Sequence, residues 1–156
     1  METGSIPELQ VRLREPGTPD GDVAYQLEIP ADLRCLKEAV ELIATACFDG
    51  EAPSGSRTRF RLRMLLAEAI SNSILFGASG NRERTVRIEA LVNDRRIRLE
   101  VTDDGPGFDP NEVPDPTLPG GVARPIGRGL FLIRSLADQV EFNERGNTIW
   151  MTLALT

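Results

Sequence analysis

Glu68 and Asn72 stand four residues apart in the run LAEAISNSILF, a spacing that places both side chains on one face of a helix. Their helical neighbours Leu65, Leu66, Ala69, Ile70 and Ile74 are apolar, so the pair lies close to the core side. An exposed polar pair would show the same spacing. A second group, Asp103-Asp104-Gly105-Pro106-Gly107-Phe108, directly follows a strand-like run. Its two glycines let the backbone approach a ligand closely, and Asp103 offers a fixed acceptor at the strand end. As an EF-hand-type calcium loop it fails, because Gly105 occupies the third position and the closing glutamate is misplaced. A tight turn accounts for the glycines equally well. The third group is Gly127-Arg128-Gly129-Leu130 at the opening of a helix, where free N–H groups suit a phosphate. It is not a Rossmann fingerprint: Leu132 holds the third glycine position, and a long coil precedes it.

The elements that must position these groups follow from the hydrophobic period. Val23, Tyr25, Leu27 and Ile29 alternate and predict a half-buried strand over 22–29. Leu33, Leu36, Val40, Ile43 and Cys47 recur at threes and fours, predicting a helix with one apolar stripe. DGEAPSGS (49–56) reads as a loop with Ser56 as the cap of a second helix through 57–76. Two strands, 85–92 and 96–102, are joined at Asn93-Asp94. Residues 104–128 are rich in proline and glycine and carry no period; a loop that long in a small domain is usually functional or mobile. LFLIRSLADQV is a third helix, and EFNE with TIWMTLAL (148–155) forms a last hairpin around Arg145-Gly146-Asn147. The expected fold class is α+β, a two-layer sandwich with a mixed or antiparallel sheet and helices on one face. Residues 1–21 read as a flexible leader, or as an edge strand through Val11 and Leu13, ahead of a single domain over 22–156.

Composition narrows the chemistry further. The 156 residues carry a net charge of −6, which argues against duplex nucleic acid or an anionic membrane as main partner. No apolar run approaches the roughly 20 residues of a membrane span, and no signal pattern opens the chain, so a cytoplasmic location is expected. The chain has no histidine, which excludes Ser-His-Asp triads and histidine metal sites. Its one lysine, Lys37, lies outside any Walker-type loop. Cys35 and Cys47 fall in one predicted helix about 18 Å apart, too far for a disulfide, and read as small buried hydrophobes. The arginines at 57, 59, 61 and 63 read as a solvated helix face. Trp150, Tyr25 and the phenylalanines read as core or strand-face residues rather than a stacking platform.

Taken in order, the three groups resemble the GHKL ATPase superfamily. More narrowly, LAEAISNSILFG, VTDDGPGFDP and GRGLFLIRSLADQVEF are similar to the anti-sigma-factor serine kinases, the RsbW-like group. The resemblance runs from about residue 22 to the C-terminus. It implies that Asn72 coordinates a magnesium ion bridging the ATP phosphates and that Glu68 is the general base. It further implies that Asp103 accepts from the adenine amino group, with Gly105 and Gly107 lining the pocket and Thr148 beneath the base. A lid over about 109–126 would close on the triphosphate, Gly127 and Gly129 would receive phosphate oxygens, Leu130 would follow them, and Arg128 would supply charge. Leu75 and Phe76 depart from the Glu-His or similar pair of many relatives.

The implied function is that of an ATP-dependent protein serine kinase and anti-sigma factor. Its partners would be a STAS-type anti-anti-sigma protein, whose serine it phosphorylates, and a sigma factor that it sequesters, with a homodimer as the family's usual state. The other reading is a non-catalytic module that binds ATP or ADP and controls a partner through lid conformation.

Overall fold

The computed structural model describes residues 7–14, 22–48, 55–78, 81–107, 109, 111 and 125–155. Six strands form one sheet in the order β1-β2-β3-β4-β6-β5, and every pairing is antiparallel. They are β1 (Arg12–Arg14), β2 (Val23–Pro30), β3 (Thr85–Val92), β4 (Arg96–Asp103), β5 (Gln139–Phe142) and β6 (Thr148–Ala154). Helices α1 (Leu36–Phe48), α2 (Ser56–Asn72) and α3 (Pro125–Leu136) complete the chain.

Strand register explains the two layers. Ile29 lies opposite Val86, Leu27 opposite Ile88, Val101 between Ile88 and Ile149, and Leu99 between Ala90 and Met151. These side chains therefore share a face, and all belong to one buried cluster with Ile43 of α1, Leu62, Leu65, Leu66 and Ile70 of α2, and Ile133 of α3. The opposite face carries Glu28, Arg87, Glu89, Glu100 and Trp150. The β3–β4 turn is closed by Asn93, whose amide oxygen accepts from the N–H groups of Arg95 and Arg96 at 2.8 Å each.

Several sequence expectations shift. Leu33 leaves the α1 stripe: it lies exposed in a short 3₁₀ turn, Leu33–Cys35, that precedes the helix. Cys35 sits in that turn rather than in the helix. Both thiols are free and buried, and burial pushes Cys47 up to about 12 and Cys35 above its ordinary value. Asp32 caps the turn, accepting from the Arg34 N–H at 3.0 Å and from the Arg34 guanidinium at 2.7 Å. α2 starts at Ser56 itself, with Gly55 in the cap position and no side-chain cap bond. The 57–63 arginines are not merely a solvated face. Arg59 lies over the Phe48 ring, Arg63 pairs with Glu41 of α1, and the Arg61 guanidinium donates to the Leu136 carbonyl at 2.8 Å. α2 is thereby tied to both neighbouring helices.

α3 begins earlier and ends earlier than the sequence predicts. Proline at its first position loses no helical bond, because that N–H would be unpaired anyway. At the other end Arg61 takes the Leu136 carbonyl, Asp138 turns the chain, and Val140 pairs with Met151 as a strand residue.

Candidate nucleotide site

Asp103 ends β4 with only 4% of its surface exposed. Three contacts set its position. Its Oδ1 accepts from the Gly105 N–H at 2.7 Å. Its own N–H donates to the Asn147 carbonyl at 3.0 Å, and its carbonyl accepts from the Asn147 side-chain amide at 3.1 Å. Burial raises its pKa above the ordinary aspartate value and the Asp104 charge adds to this, whereas the Gly105 N–H and the nearby Arg84 and Arg145 oppose it. Asp104 faces the other way: Thr85 Oγ1 donates to it at 2.6 Å and Arg87 at 3.2 Å, and its pKa is lowered.

The helix that carries Glu68 and Asn72 ends at Asn72 and widens into a π-helical turn, Ser73–Gly77. Such turns often mark functional sites. This one brings Gly77 against Asp103: a Cβ on Gly77 would lie 2.1 Å from Asp103 Oδ2. Gly105 is equally constrained, since its Cβ would fall 1.5 Å from the Gly77 carbonyl oxygen. Gly107 has a φ of 81° and a Cβ position 1.8 Å from the Arg145 carbonyl oxygen. The space beside Gly77 is filled by the Asp103 carboxylate, and that beside Gly105 and Gly107 by backbone carbonyls, so the π turn, the β4 end and the β5–β6 turn press together.

Asn72 is buried and Glu68 half-buried on α2. Gly129 of α3 packs onto both, its Cβ position being 2.9 Å from Glu68 Oε2 and 3.2 Å from Asn72 Nδ2. Within α3 the free N–H groups belong to the first turn, which includes Gly127; Gly129 lies beyond it. Arg128 is exposed, and Leu130 is buried. Thr148 is also buried, its hydroxyl 2.9 Å from that of Thr102. Asn72, Asp103, Leu130, Ile133, Asn147 and Thr148 all line one cavity between α2, α3, β4 and β6. The structure thus brings Glu68, Asn72, Asp103, Gly105, Gly129, Leu130 and Thr148 together, with Gly107 on the adjoining turn. Of the lid at 109–126, only Asp109, Asn111, Pro125 and Ile126 are among the described residues.

The residues present would suit a nucleotide: the buried Asp103 carboxylate and the Asn72 amide line one cavity, and Glu68 lies beside Gly129 at its edge. Magnesium held by phosphates and water needs only one or two protein ligands, consistent with Asn72. No cluster of three acidic, cysteine or histidine side chains suited to a metal occurs among the described residues. Space is the restriction. The cavity measures 20 Å³, whereas small-molecule pockets run to about 300–1,000 Å³. Leu130 and Ile133 of α3 form part of its wall, so a base needs more room than this cavity offers.

Sequence reasoning missed Gly77 and Asn147. Gly77 reads as an ordinary helix-to-turn glycine, and only its approach to Asp103 reveals its role.

A six-stranded antiparallel sheet with three helices over one face, and a cavity between the helix of Glu68 and Asn72 and the strand-ending Asp103, is an architecture suited to a nucleotide-binding ATPase. Residues 29–153 match the Histidine kinase-like ATPase domain family, and the chain belongs to it. It is similar to the anti-sigma F factor of Oceanobacillus iheyensis, 28% identical over 76% of this chain and 85% of that one. It is similar also to the serine-protein kinase RsbW of Listeria monocytogenes, 29% identical over 58% of this chain and 62% of that one. The anti-sigma F factor of Bacillus thuringiensis is 27% identical over 76% of this chain and 85% of its own length.

Proposed function

We propose that this chain is an ATP-dependent protein serine kinase and anti-sigma factor. The observation that carries the reading is the buried Asp103 carboxylate, held by Gly105 and Asn147, facing the same cleft as Asn72 of α2. Its similarity to an anti-sigma F factor and to a serine-protein kinase supports it.

In this reading Asp103 accepts from the adenine amino group, and Gly105, Gly107 and Thr148 enclose the base. Asn72 holds magnesium through its amide oxygen, and the metal would neutralise charge on the phosphates. Gly127 offers its free N–H to a phosphate oxygen, Gly129 lets the chain pass close to Glu68, and Arg128 supplies charge from the exposed side. Leu130 seals the cleft. Glu68 takes the proton from a serine hydroxyl of the protein substrate as that oxygen bonds to the γ-phosphorus. The bond from the γ-phosphorus to the β–γ bridging oxygen breaks, and ADP leaves. Catalysis comes from positioning and electrostatics rather than from a covalent intermediate on this chain.

The phosphorylated partner is a STAS-type anti-anti-sigma protein, and the sequestered one a sigma factor. Homodimeric assembly and a cytoplasmic location complete the proposal; among the described residues no helix is long and apolar enough to cross a membrane. The test is transfer of label from γ-labelled ATP to a co-incubated STAS protein with magnesium. Transfer that disappears in Glu68→Ala supports the kinase. Tight ATP binding without transfer at any magnesium level leaves a non-catalytic nucleotide module instead.

A further inference from the structure

We infer that Asn143 and Asn147 are positioning residues for adenine recognition, acting through the main chain of Asp103; this rests on the proposed role of Asp103 as the base acceptor. The regular β4–β6 ladder ends at the Thr102–Thr148 pair, one residue short of Asp103. Beyond it, both main-chain polar groups of Asp103 bond to Asn147, one to its carbonyl and one to its side chain. Asn147 is fixed in turn by Asn143. The Asn143 amide oxygen accepts from the Asn147 N–H at 3.0 Å and from the Thr148 N–H at 3.1 Å, and its amide nitrogen donates to Asn147 Oδ1 at 2.6 Å. One side chain in the β5–β6 turn therefore holds both the residue that grips Asp103 and Thr148, the proposed neighbour of the base.

A hairpin turn does not itself require this arrangement. Gly146, with a φ of 72°, and the Gly146 N–H bond to the Asn143 carbonyl already close the turn. The amide side chains add a link from the turn to the strand-ending carboxylate. With Oδ1 tied to Gly105 and the main chain tied to Asn147, the direction of the remaining lone pairs is fixed. Hydrogen bonds weaken steeply with misalignment, so a loosened Asp103 main chain degrades the bond to an exocyclic amine first.

The experiment is calorimetric titration of ADP and inosine diphosphate into the intact chain, Asn143→Ala and Asn147→Ser. Inosine carries a 6-oxo group and an N1–H in place of the 6-amino group and the N1 acceptor, so the affinity ratio reads recognition of the base edge assigned to Asp103. The intact chain is expected to prefer ADP by on the order of 100-fold. In each variant the ratio is expected to drop below about 10-fold, with inosine diphosphate affinity changed by no more than about 3-fold. A merely structural role would lower both affinities together and leave the ratio intact, and that result overturns the inference alone. An intact chain that fails to distinguish the two nucleotides overturns the base assignment and the inference with it. Should Asn143→Ala fail to fold, Asn147→Ser, which retains the main-chain carbonyl that accepts from Asp103, decides the matter.

Discussion

Asp103 holds a charge that the fold does not need. Its burial disfavours the carboxylate, so its folded pKa lies above the unfolded value, and the ionised group costs stability at neutral pH. Asp103→Asn retains an acceptor for the Gly105 N–H and removes that cost. Its Tm is expected to rise, while adenine nucleotide affinity falls more than about tenfold because the new amide presents a donor to the amine. Thermal unfolding and calorimetric titration check the two halves; a less stable variant that still bound ATP would contradict both. The same raised pKa predicts that ATP affinity declines as pH falls, at a higher pH than an ordinary aspartate would impose, whereas affinity that stays flat down to the ordinary aspartate value would count against it. Asp32 has the opposite sign. Hydrogen bonds from Arg34 hold its pKa at about 2, below the unfolded value near 4, so its contribution is complete above pH ~4 and is lost as pH falls through 2. Denaturant midpoints should place Asp32→Asn below the intact chain at pH 7, and the gap should close near pH 2.

At the scale of elements, the π turn and α3 decide whether the site exists. Gly77→Ala would drive a methyl group into the Asp103 carboxylate, because the gap is 2.1 Å where an ordinary contact needs well over 3 Å. Expected are a loss of about 1–3 kcal/mol in denaturant unfolding and a fall in ATP affinity beyond that of Gly55→Ala. Gly55 provides the control because no atom lies within 4 Å of its Cβ position. If both substitutions behaved alike, the close packing of the π turn on β4 would be wrong. The regular elements were legible because period-2 and period-3.6 patterns report burial directly: β2, β3, β4 and the core of α2 lie where the alternation and stripes place them. The early end of α3 was not legible. LFLIRSLADQV keeps a helical period through Val140, and what stops the helix is Arg61, 75 residues away, capping Leu136. The arginine run likewise reads as surface because its partners, Phe48, Glu41 and Leu136, lie on other helices. Glu68, Asn72 and Asp103 were legible as candidates through their ordered motifs, but the contacts of Gly77, Asn143 and Asn147 depend on distances that no local spacing encodes.

For the whole molecule, the sheet separates two environments. The helical side holds the core and the cleft, and the open side holds the single tryptophan. Trp150 donates to Glu100 at 2.8 Å and lies under the Arg98 guanidinium, with its register partners Glu100 and Glu141 on either side. It therefore reports unfolding of the sheet without standing in the site. A ligand that binds only the folded chain at 100 times its dissociation constant stabilises it by about 2.7 kcal/mol, which raises the Tm of a domain this size by about 5–10 °C. Thermal unfolding followed by Trp150 fluorescence should show that shift with ATP and magnesium. The emission of the folded chain should stay constant at 25 °C, because the cavity lies across the sheet from the indole. A changed folded-state emission on adding ATP would mean that the cleft and the open face move together. Absence of any Tm shift would mean that nucleotide does not enter.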